Sequence, residues 1–182
     1  MLRRVLRCLP ALVLACLAVL AFTGPRQAAA EGTVHPDPSI VRQIHVYQRE
    51  TWRWQTLMGV RRTPRSRAVE KDPSIRFKVW VRNVWHRRAL RAHRQAVRPP
   101  HRSGWLCIHR YEGAWHDPNP PYYGGLQMDI GFQRTYGRDL LRHKGTANRW
   151  TPLEQMWVAE RAHRSGRGYY PWPNTARSCG LI

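Results

Sequence analysis

The chain has 182 residues, which is enough for one sizeable core and a small accessory segment. It carries 31 lysine and arginine residues against 11 aspartates and glutamates, a formal net charge of +20 at pH 7. This charge favours anionic partners through long-range electrostatics, but the sequence has no motif of a nucleic-acid-binding fold, so we expect no nucleic-acid partner.

Residues 1–30 have the three parts of a secretory signal peptide. Arginines come first, Cys8 to Phe22 follow as an apolar run, and Ala28-Ala29-Ala30 supplies a cleavage site. The run is shorter than the roughly 20 apolar residues that a membrane-spanning helix needs. We therefore predict that the chain is cleaved after Ala30, that no transmembrane span remains, and that the protein is secreted or associated with the cell wall.

The next segment, residues 31–100, is predicted to form two basic helices. Both begin alike, with Asp37-Pro38-Ser39-Ile40 and Asp72-Pro73-Ser74-Ile75, in which Asp is the N-cap and Pro takes the first helical position. Apolar residues then recur at steps of three and four, until Gly59 and Pro99 end the helices. We expect a helical hairpin whose arginines form either a solvated face or a surface for anionic wall polymers or lipids.

Residues 101–182 form a second predicted unit, because glycine and proline become frequent and because both cysteines that survive cleavage lie here. In an exported chain these two residues, Cys107 and Cys179, predict one disulfide. They lack the second pair of cysteines or histidines that zinc needs. We therefore expect neither a metal nor another cofactor.

Short elements separated by glycine and proline are predicted in this second unit. Ser103 and Thr151 are the expected N-caps of two helices, and Glu154 completes a capping box with Thr151. In chain order, the predicted elements are a helix from Ser103 to Gly113, a hairpin within Tyr122 to Ile130 that is kinked at Gly124-Gly125, a helix from Ile130 to Tyr136, a helix from Thr151 to about His163, and an extended aromatic tail from Tyr169 to Pro173.

The candidate catalytic residue is Glu112, a lone acid among aromatic residues and glycines. It lies at the C-terminal end of a predicted helix, where the helix dipole disfavours an anion, and Trp105, Trp115 and nearby tyrosines can desolvate it. Both effects favour a protonated carboxyl, which can protonate a glycosidic oxygen while aromatic rings stack on the sugar. Alternatively, Glu112 is a surface residue or forms a salt bridge with an arginine.

The sequence around Glu112 resembles the resuscitation-promoting-factor and transglycosylase-like family of secreted actinobacterial proteins. The similarity covers most of residues 104–179 and none of 31–100. It rests on these segments: Glu112-Gly113-x-Trp115, Tyr122-Tyr123-Gly124-Gly125-Leu126-Gln127, Glu154-Gln155, Val158-Ala159-Glu160-Arg161, Gly168 and Pro171-Trp172-Pro173.

This resemblance implies that residues 101–182 form a small lysozyme-like α+β catalytic domain with a short hairpin. With the basic helical hairpin before it, the chain is expected to be mainly α. It also implies that Glu112 is the catalytic acid/base and that peptidoglycan is the partner. The residues implied to bind the substrate are Trp115, Tyr122, Tyr123, Gly125 and Gln127.

Two features depart from the family pattern. The family has Ser-Gly-Gly after its glutamate, whereas this chain has the shorter connection Gly113-Ala114-Trp115, which affects the width of the cleft. The family's first cysteine directly precedes the glutamate, whereas Cys107 lies one helical turn before that position, and Cys179 comes several residues later than its counterpart. We expect the same disulfide, displaced by about a turn.

Three functional hypotheses follow. The first is a secreted enzyme that cleaves peptidoglycan glycan strands, either as a lytic transglycosylase, which needs one acid, or as a muramidase, which needs a second group. For that second carboxylate we consider Asp129 the candidate, since Asp117 before Pro118 is typical of a turn. The others are a catalytically inactive, cationic cell-wall-binding protein and a cationic membrane-active protein. For each we expect a monomer.

Overall fold

A computed structural model describes residues 38–65, 71–72 and 74–182. It is mainly helical and contains a short, two-stranded antiparallel sheet. The predicted signal peptide, together with Asp37 and Pro73 of the predicted caps, lies outside the described residues. Within the described ranges, no helix is long and apolar enough to cross a membrane.

The two long helices of the basic segment are α1 (Pro38–Met58) and α2 (Ile75–Ala96). Their contacts advance in the same direction along both helices. The contacting pairs are Tyr47 with His86, whose ring centroids are 4.7 Å apart, Trp54 with His93, 4.8 Å apart, and Met58 with Ala96 in one buried cluster. The helices are therefore parallel, and the predicted hairpin, in which they would be antiparallel, is wrong.

The connection after Gly59 explains the parallel arrangement, because it turns back along α1. The indole of Trp52 donates a hydrogen bond to the Thr63 carbonyl at 2.8 Å. The Gln55 amide donates to the Thr63 hydroxyl at 2.8 Å and accepts from the Thr63 backbone N–H at 2.9 Å. The chain thus travels back towards the start of α1 before α2 begins.

Two predicted N-caps are wrong. Ser74, not Asp72, caps α2: the Ser74 hydroxyl accepts from the Phe77 backbone N–H at 3.3 Å, while Asp72 accepts from the Ser74 N–H at 2.7 Å. In the second unit Ser103 lies inside the first helix, whose N-cap is His101. In both cases several capping residues or turn formers lie close together, so the pattern fixes the helix start only to within two residues.

The second unit begins with α3 (Arg102–Glu112) and continues with short elements. The hairpin and the helices at 130–136 and 152–162 confirm the predictions, including the capping box of Thr151 and Glu154, whereas two further helices were not predicted. In chain order, the elements are β1 (Tyr122–Tyr123), β2 (Met128–Asp129), α4 (Ile130–Tyr136), α5 (Arg138–Lys144), a 3-10 turn (Ala147–Arg149), α6 (Pro152–Ala162), a wide turn (His163–Arg167) and α7 (Pro173–Ser178).

The core of this unit surrounds α6, most of whose residues are buried. Trp105, Ile108, Leu126 and Trp150 are fully buried in it. In the hairpin Tyr122 pairs with Asp129 and Tyr123 with Met128. Trp105 and Ile108 of α3 and Leu126 of the hairpin thus pack in the same core as α6.

The C-terminal ends of α1 and α2 pack on α6. The indole of Trp157 donates to the Ala96 carbonyl at 2.6 Å. Arg161 donates to the carbonyls of Thr56 and Leu57 at 3.0 and 2.7 Å, which satisfies carbonyls at the end of α1. Residues 35–182 accordingly form one compact unit.

Candidate active site

Glu112 is the last residue of α3, and its side chain is half-buried. Its Oε1 atom accepts a hydrogen bond of 2.7 Å from the hydroxyl of Thr175, which lies on α7. The sulfur atoms of Cys107 on α3 and Cys179 after α7 are 2.07 Å apart, at bonding distance, with 6.0 Å between the Cα atoms. The predicted pairing thus links the two elements that hold the Glu112 carboxyl.

Gln127 and Asp117 lie beside the residue that follows Glu112. A Cβ atom built on Gly113 would stand 3.4 Å from Gln127 Nε2 and 3.6 Å from Asp117 Oδ2. The Gln127 amide donates to Asp117 Oδ2 and to the Gly124 carbonyl, both at 2.9 Å. Gln127 also has φ +46°, a conformation that costs energy for a residue with a side chain and that clusters at functional sites.

Trp115 and Gly125 both lie against His109, a residue of α3. The Trp115 and His109 rings are stacked, with centroids 3.9 Å apart and an interplanar angle of 25°. A Cβ atom on Gly125 would approach His109 Nδ1 to 2.6 Å and Trp115 Cε3 to 2.8 Å, so the position requires glycine. The short connection after Glu112 therefore folds Trp115 back onto α3.

The two tyrosines of the hairpin have different environments. Tyr122 is 50% exposed, whereas Tyr123 is half-buried and packs against the core. Tyr122 and Gln127 line a cleft of about 350 Å³, whose other residues are Met128, Asp129, Gly131, Phe132, Arg167, Pro171 and Trp172. Of the predicted site residues, the cleft therefore brings together Tyr122, Gln127 and Asp129.

Asp129 is the N-cap of α4: its Oδ1 atom accepts from the Phe132 backbone N–H at 2.7 Å. Asp117 has the predicted turn role, since its Oδ1 atom accepts from the backbone and the side chain of Asn119 at 3.1 and 2.6 Å. The contact with Gln127, however, also places Asp117 next to the Glu112 segment. Both carboxylates therefore accept hydrogen bonds that stabilise local structure, and Asp117 in addition lies beside Gly113, the residue after Glu112.

Trp105, one of the aromatic residues expected to desolvate Glu112, has a different hydrogen-bond partner. The Trp105 side chain is fully buried, and its indole donates instead to Glu160 Oε1 at 2.8 Å. Glu160 is also fully buried and accepts from the His101 backbone N–H at 2.8 Å, while its Oε2 atom lies 3.0 Å from His101 Nδ1. Glu160 thus holds the N-terminal end of the helix that carries Glu112.

Two residues near the buried Glu160 carboxyl, His163 and Tyr169, have shifted pKa values. Burial, and secondly the neighbouring His101, lower the pKa of His163 below its ordinary value. Burial, and secondly the Glu160 charge, raise the pKa of Tyr169. The rings of His101 and His163 are 4.0 Å apart, so both histidines and Tyr169 form one cluster with the buried carboxyl.

Sequence reasoning gave no functional or positioning role to Thr175, His109 or Glu160. Thr175 contacts Glu112 only because α7 is a helix, and the aromatic, proline-rich residues before it suggested an extended chain. His109 lies three residues before Glu112, so helical periodicity was the available signal. Glu160 lies among apolar residues on the buried face of α6. An acidic residue at such a position is rarely buried unless it has hydrogen-bond partners, so this pattern was the available signal.

In the part of the chain that the structure describes, no group of three or more histidine, cysteine or acidic residues is arranged to hold a metal ion. The chain matches no protein-family model, no curated protein and no solved structure.

Proposed function

We propose that this protein is exported and cleaves the glycan strands of peptidoglycan, with Glu112 as the general acid/base. The observation that carries the proposal is the state of the Glu112 carboxyl. It accepts a hydrogen bond from a neutral hydroxyl, that of Thr175. Among the described residues it forms no salt bridge, although the chain has 31 lysine and arginine residues. This argues against the interpretation of Glu112 as a salt-bridged surface acid.

The surroundings of Glu112 support the same chemistry. The half-buried carboxyl lies at a helix C-terminus, and the next residue, Gly113, lies beside Gln127. Gln127 lines the cleft together with Tyr122 and Trp172, whereas Glu112 itself is not among the lining residues. Aromatic rings beside amide groups suit the faces and hydroxyls of sugars. Together with the resemblance of residues 112–127 to the transglycosylase-like family, this favours a glycan as the substrate.

In the proposed mechanism, the Glu112 carboxyl donates its proton to the glycosidic oxygen as the bond to the anomeric carbon breaks. The resulting carboxylate then takes a proton from the group that attacks the anomeric carbon. Both candidate second carboxylates already accept hydrogen bonds from their own turns, Asp129 as a helix cap and Asp117 from Asn119. This favours attack by a hydroxyl of the substrate itself, which forms an anhydro sugar, over attack by a water that a second carboxylate activates.

The experiment is digestion of purified peptidoglycan by the chain from Glu31 onward, with mass spectrometry of the soluble products. We expect fragments with anhydro ends, each lighter by one water than the hydrolytic product. Glu112→Gln should abolish their release, whereas the matched control Asp129→Asn should keep it. Undiminished release by Glu112→Gln would overturn the proposal, and hydrolytic ends alone would replace the transglycosylase mechanism by a hydrolase one.

The net charge of +20 favours a second candidate, a cationic cell-wall-binding protein without catalytic activity. This function predicts that the protein sediments with cell walls, that Glu112→Gln sediments equally, and that salt weakens the binding because exposed charges are screened. It also predicts that no soluble muropeptides appear. The product analysis above therefore separates the two candidates.

A further inference from the structure

An exposed aromatic groove lies on α2, in the basic segment. Trp80 is 58% exposed, and its ring stacks on Phe77 with centroids 5.8 Å apart. The groove has a volume of about 340 Å³ and lies between α2 and the segment that returns along α1. Its lining residues are Pro64, Phe77, Trp80, Val81, Val84, Trp85 and Arg88.

The surroundings of this groove are cationic. Residues 73–111 contain no aspartate or glutamate, and α2 alone carries seven lysine and arginine residues, at positions 76, 78, 82, 87, 88, 91 and 94. Arg88, the one charged lining residue, places its guanidinium 4.9 Å from the centre of the Trp85 ring. The surface thus combines an exposed tryptophan with positive charges that, Lys78 apart, lie outside the core and form no ion pair among the described residues.

These two properties restrict what can cover the groove. A second copy of this chain would bring another +20 of charge and is disfavoured by electrostatic repulsion. A fully polar polyanion would satisfy the arginines but would leave the rings of Trp80 and Phe77 against polar groups. An occupant with anionic groups at its surface and apolar groups beneath them fits both properties.

We propose that this groove binds the surface of a membrane rich in anionic phospholipid. Trp80 and Phe77 enter the interfacial layer, where tryptophan is favoured, and the arginines of α2 pair with the lipid phosphates. Trp80 precedes Ala96, the α2 residue that contacts Trp157 of α6, by 16 residues. This separation is about 24 Å along an α-helix. The groove and the Glu112 site share no lining residue, and the proposal does not depend on the proposed function.

The test is co-sedimentation of the chain from Glu31 onward with phospholipid vesicles, since residues 35–182 form one compact unit. We expect binding to vesicles that contain phosphatidylglycerol and little binding to pure phosphatidylcholine. Trp80→Ala should weaken the binding at least about tenfold, because a tryptophan contributes a large apolar area. Arg88→Gln should weaken it about fivefold, the contribution of one cation near an anionic surface.

Two control variants match these changes. Tyr170→Ala removes an aromatic side chain that is 70% exposed on the second unit, and Arg142→Gln removes one exposed arginine from α5. Both should keep vesicle binding within about twofold of the unchanged chain. Because Trp80 is mostly exposed, its replacement should preserve the fold, which circular dichroism checks.

A second measurement tests the depth of Trp80 directly. Lipids brominated on the acyl chain quench tryptophans that enter the interface, and Trp80→Phe should remove this quenching while vesicle binding persists. The proposal is overturned if Trp80→Ala and Tyr170→Ala bind vesicles equally, or if the quenching survives Trp80→Phe. It is also overturned, in favour of an anionic polymer, if the chain binds poly(glycerol phosphate) in a Trp80-dependent way but ignores the vesicles.

Discussion

Replacing Glu160 by alanine is expected to destabilise the protein strongly and to displace the helix that carries Glu112. The Glu160 side chain is fully buried and receives the Trp105 indole N–H and the His101 backbone N–H, each at 2.8 Å. Alanine would remove the acceptor of both donors and leave a cavity between α3 and α6. The effect should be on stability first and on activity second.

The magnitude follows from the two donors. A buried donor without a partner costs about 1–3 kcal/mol, so two of them cost about 2–6 kcal/mol, and the cavity adds to this. Because a domain of this size is typically stable by only about 5–15 kcal/mol, the loss is a substantial fraction of the total. Glu160→Gln keeps the volume and one acceptor oxygen, so it should cost less than the alanine variant.

The assay is urea unfolding followed by circular dichroism, with Glu50→Ala as the matched control. Glu50 is half-exposed and lies 3.8 Å from Arg53 in a surface pair, which contributes about 0–1 kcal/mol. We expect Glu160→Ala to lower the free energy of unfolding by at least about 2 kcal/mol more than the control. Equal losses in the two variants would refute the argument that Glu160 holds the start of α3.

Further predictions concern the disulfide, pH and Thr175. The double variant C107S/C179S should lose about 4 kcal/mol of stability by the chain-entropy model for a separation of 72 residues, measured by urea unfolding, and full stability of this variant would contradict the linkage. Since burial lowers the pKa of His163, the unfolded chain binds a proton at this imidazole more tightly than the folded protein does. The free energy of unfolding, measured by urea unfolding, should therefore be highest above about pH 6.5 and should fall as the pH decreases from there through the folded pKa. His163→Gln should flatten this pH dependence. Thr175→Val should reduce glycan cleavage about tenfold while Thr175→Ser keeps it, because only the serine retains the hydroxyl donor to Glu112; equal rates would show that the hydrogen bond is irrelevant.

Several elements were predictable because their signals are local. The capping box at Thr151 fixed the start of α6, and the two glycines at 124 and 125 marked the turn between β1 and β2. The periodicity of apolar residues gave the lengths of α1 and α2. In each case the residues that determine the element lie within one or two turns of it.

The direction of α2 relative to α1 was not predictable in this way. It depends on hydrogen bonds that Trp52 and Gln55 make with Thr63, and these polar contacts leave no periodic pattern in the sequence. A short loop would have made the helices antiparallel, and the length of the connection alone allowed both arrangements. Similarly, α7 follows a run of prolines and aromatic residues that is typical of an extended segment.

The candidate site was predictable in part. The position of Glu112 at a helix end follows from the glycine after it. The contact of Gln127 with Asp117 was not predicted, because Asp117 lies outside the hairpin and its turn pattern gave no sign of it. The contact with Thr175 depends on a tertiary arrangement of α3 and α7, which no pattern within either segment encodes. Likewise, the indole N–H of Trp105 bonds to Glu160 rather than to Glu112, since Glu112 lies about two helical turns further along α3.

The most direct test of Glu112 as the proton donor is the initial rate at which the chain solubilises purified peptidoglycan. This rate is compared between the unchanged protein and Glu112→Gln. Glutamine keeps the size of the side chain and can still accept the hydrogen bond from Thr175, but it has no acidic proton to donate. We expect a loss of about 10²- to 10⁴-fold, the usual contribution of a general acid/base. Rates that agree within about twofold would contradict the assignment of Glu112 as the proton donor.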